Sequence, residues 1–161
     1  MAKTSGGVRI FANSESDKTA SQKIASIIDD IKVKGFTKQQ PFSIGNIEDR
    51  MVEFASANDI ELQSNTIYIS AHSISHALRD SKKEKGLAVS EADLISFPNR
   101  RFSLDLYYDG KSFVYTDYNN KFILNTNYEL KIDRQKTKKV TFVTAGKTDG
   151  TEFKMKKYKK I

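Results

Sequence analysis

Residues 101–130, RFSLDLYYDGKSFVYTDYNNKFILNTNYEL, decide the fold. Phe102, Leu104, Leu106 and Tyr108 alternate with Ser103, Asp105 and Tyr107, the period of a strand with one face buried. Asp109-Gly110 is a hairpin turn, because both residues tolerate the positive φ that tight hairpins require. Lys111 to Tyr118 then reads as the returning strand, and Asn119-Asn120 turns the chain into a long third strand, Lys121 to Ile132. After the polar run DRQKTKK, Val140 to Ala145 reads as a fourth. The pattern predicts a four-stranded antiparallel β-meander.

Upstream of this stretch the period becomes helical. Ile24, Ile27, Ile28 and Ile31 recur at helical spacing between Asp17 and Lys34, and Gly35 supplies a stop. From Asn46 to Asn58, Ile47, Met51, Phe54 and Ala55 share one stripe. Glu48, Asp49 and Glu53 fall in the early turns, where the helix dipole favours solvated acids. A short extended stretch, Thr66 to Ile69, precedes a third helix capped by Ser70 and running to about Lys83. Ser90 with Asp93 opens a further turn or two ending at Pro98. Helices first and a meander second, without strand–helix alternation, predict an α+β fold with N-terminal helices packed on the sheet.

The chain has 161 residues, 38% of them hydrophobic, with 10 Phe and 7 Tyr, enough for one core. The expected organisation is a flexible lead-in over 1–17, a helical region over 18–60, a core over 61–150 and a basic tail over 151–161. The absence of cysteine excludes disulfides, a thiol nucleophile and Cys-ligated metal. Neither a membrane-spanning run nor the apolar stretch of a secretory signal is visible, so a soluble, cytoplasmic chain is expected. Charge is uneven: residues 131–161 carry 11 Lys+Arg against 3 Asp+Glu, whereas residues 1–130 carry 16 against 17. A polyanion partner is one reading of that excess, and a solubilising tail is the other.

The only histidines, His72 and His76, lie one helical turn apart. With Arg79 and Lys83 they form a polar stripe opposite the apolar Ala71, Ile74 and Leu78. The bland reading is a solvated basic face. Two chemical readings compete with it. Zinc binding by histidines at this spacing belongs with a glutamate after the first, and Ser73 stands there, so no metal is expected. Acid–base cleavage of a phosphodiester suits a pair of imidazoles, with Arg79 and Lys83 binding phosphate.

The strand TIYIS, the helix AHSISHALRD, the turn SEADLISFPN, the strands RFSLDLYYDGKSFVYTDY and KFILNTNYEL and the closing VTFVTAGK follow one another from about Leu62 to Lys147. In that order they resemble the phage branch of the barnase–EndoU–colicin–RelE (BECR) superfamily, metal-independent ribonucleases often fused to MuF-type phage head proteins or carried as toxin modules. The resemblance implies a histidine on the helix, a basic residue on an early strand and a hydroxyl on the last strand sharing one concave surface. The matching positions are His72 or His76, Lys111 and Thr144, with Lys147 just beyond. Each also has an ordinary reading, as a turn lysine, a strand threonine and a solvated lysine. Tyr107 and Tyr115 offer rings for base stacking, against the commoner cross-strand pair.

The expected function is therefore a metal-independent endoribonuclease using no cofactor, cleaving RNA through attack of the 2′-hydroxyl, with the basic tail adding RNA affinity. An acidic immunity or antitoxin protein is the partner implied for a toxin. The alternative is a non-catalytic nucleic-acid or protein-binding module of a phage or mobile element.

Overall fold

A computed structural model describes residues 19–79 and 83–161. The lead-in expected over 1–17 lies outside the described residues. Helix α1, Ala20–Lys34, opens on a reciprocal cap between Thr19 and Gln22 and closes on Gly35, whose φ of 82° suits a residue without Cβ. Its isoleucines Ile24, Ile27 and Ile28 are buried, as their spacing requires.

Strand β1, Phe42–Asn46, occupies a stretch that pattern reading left partly to the second helix. That helix, α2, is Asp49–Ala57. Strand β2, Thr66–Ile69, leads through the cap Ser70 into α3, Ala71–Ala77. The expected extension of α3 to Lys83 is corrected: the helix stops at Leu78, and residues 80–82 lie outside the described set. Helix α4, Glu91–Arg100, continues past Pro98 into a 3₁₀ turn, Arg101–Ser103. Proline costs the last turn one donor but does not stop it there. Strand β3 consequently begins at Asp105 rather than Phe102 and runs to Tyr108. Strands β4, Phe113–Thr116, β5, Asn120–Ile132, and β6, Gln135–Lys147, follow. A second 3₁₀ turn, Thr151–Lys154, precedes β7, Lys159–Lys160.

The fold is α+β, and the sheet is larger than expected. Seven strands lie in the order β1-β2-β6-β5-β4-β3-β7. The four expected strands pair antiparallel in chain order, but β2 adds parallel to β6 through Ile67 and Val140, making the sheet mixed. The segment expected as a basic tail is joined to the sheet. Phe153 is buried, β7 pairs with β3, and the Ile161 amide donates to the Leu106 carbonyl at 2.9 Å.

Helices α1 to α4 all contribute to one core on one side of the sheet. Ile24, Met51, Ile74 and Leu94 meet Ile67, Phe122, Val140 and Phe142 there, each with no exposed surface. Phe97 of α4 is central, stacked on Phe122 at 4.5 Å and edge-on to Tyr115 at 5.5 Å. Tyr107, Val114 and Phe153 form a smaller cluster with Ile123 and Tyr158. Since Phe113 and Tyr115 join the first cluster and Val114 the second, strand alternation places the two clusters on opposite faces. Among the described residues, no helix is long and apolar enough to cross a membrane.

Candidate functional site

Helix α3 buries Ser73, Ile74 and Ala77, which leaves the turns carrying His72 and His76 toward solvent. His72 is exposed and His76 half-buried. The two imidazoles stack with centroids 6.3 Å apart and planes 24° from parallel. Arg79, one turn on, brings Nη1 to 2.9 Å from His76 Nδ1 and 3.1 Å from Nε2. A guanidinium only donates, so a hydrogen bond from Arg79 to either nitrogen uses that nitrogen's lone pair. Lys83 is joined to this turn through its amide, which donates to the Arg79 carbonyl at 3.2 Å.

Arg79 and Lys83 also border a cleft of about 390 Å³ between α1, α3 and the start of α4, with Ile28, Leu78 and Lys32 in its wall. Lys32 Nζ is 3.3 Å from both carboxylate oxygens of Glu91 across the cleft. Leu78, Lys83 and Glu91 continue into a second depression of about 400 Å³, where Lys147 joins them. Lys147 is held there by its own amide, which donates to the Leu87 carbonyl at 2.8 Å. The structure thus brings His72, His76, Arg79, Lys83 and Lys147 to one side of the molecule.

Four other expected residues lie elsewhere. Lys111 sits in the β3–β4 turn, its amide bound to Asp109 Oδ1 at 2.9 Å. Strand β4 runs from that turn toward Thr116, and the pairings Thr116 with Lys121 and Asn120 with Lys147 put Lys147 at the other end of the strands. Thr144 pairs with Ile123, which belongs to the cluster on the far face, so it points away from α3. Tyr115 has no exposed surface and donates its hydroxyl to Glu48, so its ring is unavailable to a base. Burial first, then the bond to Glu48, pushes that phenol above its ordinary value. Tyr107 is likewise buried, against Phe153 at 4.8 Å.

Pattern reading also missed a buried ionic cluster. Glu48, expected as a solvated acid, keeps only 11% of its side chain exposed. It takes Arg50 Nε at 2.9 Å on one oxygen and Arg101 Nη1 at 3.4 Å on the other. Arg50 Nη2 donates to the carbonyls of Arg101 and Leu104 at 3.1 and 2.9 Å, clamping α2 to the α4–β3 junction. Gly45 stands beside this cluster with φ of 135° and an Arg101 nitrogen 2.6 Å from where a Cβ would stand, so only glycine fits there. Among the described residues, no group of three His, Asp or Glu side chains is placed to hold a metal ion.

No protein-family model, curated protein or solved structure matches the chain.

Proposed function

We propose that the chain is a metal-independent endoribonuclease whose site is the outer edge of α3. The observation that carries this reading is the stacked His72–His76 pair, with Arg79 against the His76 ring and Lys83 and Lys147 along the adjoining depressions. Substrate phosphate draws Arg79 off the His76 ring, and the ring nitrogen so released takes the proton from a ribose 2′-hydroxyl. The freed oxygen attacks the adjacent phosphorus, the bond to the 5′-oxygen breaks, and His72 delivers a proton to that leaving oxygen. The products are a 2′,3′-cyclic phosphate and a free 5′-hydroxyl. Arg79 and the lysines stabilise charge on the equatorial oxygens. The resemblance to the phage branch of the BECR superfamily supports this reading, and with it a toxin role in a cytoplasm and an acidic immunity partner over α3. Lys111 and Thr144 have no part in the site so drawn.

The decisive experiment is incubation with RNA in EDTA. Cyclic-phosphate ends are expected, and a His72→Ala, His76→Ala double variant is expected to lose at least about 100-fold in rate, the lower range for acid–base catalysis. No cleavage, or cleavage unchanged in the variant, sinks the proposal. The positions of Lys111 and Thr144 favour one second reading, a nucleic-acid-binding module without turnover, which predicts salt-sensitive binding and intact RNA.

A further inference from the structure

We infer that the outer row of the β5–β6 arm is a second RNA contact, a track for the phosphate backbone separate from the histidine site. This rests on the reading of the chain as an RNA-handling protein. Beyond Asn125 the two long strands leave β4 behind and pair only with each other, from Tyr128 with Lys139 to Ile132 with Gln135. Direct partners share a face, so the arm has two rows. Tyr128, Leu130 and Ile132 form one, and Leu130 is buried. Lys139, in the same row, lies over the Tyr68 ring at 5.3 Å. The other row, Glu129, Lys131, Lys136 and Lys138, is exposed throughout.

Two features of that outer row do nothing for the fold. Lys131 stands directly opposite Lys136, and like charges facing each other across strands are destabilising. The nearest acid, Glu129, is 3.8 Å from Lys136, and both side chains are more than half exposed, so it offsets little. At the apex, Asp133 and Arg134 have φ of 51° and 67°, where Asn-Gly is the favoured choice for a tight turn. The apex thus carries a guanidinium at a position where conformation favours glycine.

These charges suit an RNA strand better than an acidic protein surface because they are evenly spaced. Lys136 and Lys138 are two residues apart on one strand, roughly 6.6 Å, comparable to the step between successive phosphates of an extended strand. The Asp133 amide donates to Gln40 Oε1 at 3.3 Å, which ties the apex of the arm to the segment leading into β1. The β7 lysines lie at the opposite edge of the sheet.

The test uses the full chain and a short 5′-labelled single-stranded RNA, read by fluorescence anisotropy in EDTA at several salt concentrations. A Lys131→Glu, Lys136→Glu double variant is expected to bind at least tenfold more weakly, with a log–log salt slope shallower by about 1.4, two phosphates' worth. Lys131→Gln, Lys136→Gln is expected to fall between. Unchanged affinity and slope in both variants overturn the inference while leaving ribonuclease activity free to stand. Arm-dependent binding without cleavage by the native chain upholds it and removes the nuclease reading. Displacement of the RNA by polyglutamate at matched charge points instead to an acidic protein, and overturns it.

Discussion

The two faces of the sheet are built by different physics. The helix-bearing face is an apolar core to which α1, α2, α3 and α4 each contribute residues with no exposed surface. The opposite face is a small aromatic cluster knit by hydroxyls and carboxylates: Tyr107 to Tyr118 at 2.8 Å, Tyr118 to Asp105 at 2.5 Å, Tyr158 to Glu152 at 2.7 Å. The first face is covered by four helices from the N-terminal part of the chain, the second by a dozen C-terminal residues that composition alone marks as a basic tail. Charge content therefore says little about whether a segment is ordered. Buried Phe153, the Tyr158–Glu152 bond and the pairing of β7 together tether five lysines.

Three experiments sharpen this contrast. Phe97→Ala empties the centre of the first core and is expected to cost about 3–5 kcal/mol in denaturant unfolding, the range for large core truncations. A loss below about 1 kcal/mol would mean that the helices pack far more loosely on the sheet than the ring contacts require. Ending the chain after Gly150 removes Phe153, β7, Tyr158 and the Glu152 bonds and is expected to cost at least about 2–3 kcal/mol, the worth of the buried phenylalanine alone. An unchanged unfolding midpoint would mean that these last residues add nothing to the fold.

The smallest effect concerns Glu152. Burial raises its pKa, but bonds from Tyr158, Thr148 and Lys121 outweigh that and hold it below its ordinary value near 4.5. A carboxylate whose folded value is depressed adds stability that is present above the unfolded value and lost as pH falls through the folded one. Glu152→Gln is accordingly expected to cost about 1 kcal/mol at neutral pH, with the difference from the native chain shrinking on acidification. A gap that widens in acid would show that the carboxylate is not the group holding the second face.

Local pattern carried the parts whose pairing is local. The turns Asp109-Gly110 and Asn119-Asn120 separate strands that do pair in chain order, and the isoleucine spacing of α1 is the spacing that is buried. Parts that depend on distant partners were not legible. Strand β1 is five residues with an irregular register at Gly45, too short for its alternation to stand out. Strand β7 has two exposed lysines and becomes a strand only because β3 offers an edge.

The candidate site divides the same way. His76 and Arg79 meet because helical spacing makes them meet. Thr144 misses them because an irregularity between Ile123 and Leu124 sets the facing of β6 at that point. Tyr115 was open to a better reading, since its alternation with Val114 and partnership with Phe113 already point it inward. Glu48 was not, because its partner Arg101 lies far along the chain.

The parallel pairing of β2 with β6 has a consequence in time. Strand β2 and the histidine helix that follows it leave the ribosome before β6, the strand they pack on, which begins only at Gln135. Because the helix is short and isolated helices of that length are marginal in water, α3 lacks the sheet surface that orders it until β6 has emerged. A nascent chain therefore carries its two imidazoles on an unformed segment, and their spacing is set only once β6 has been made.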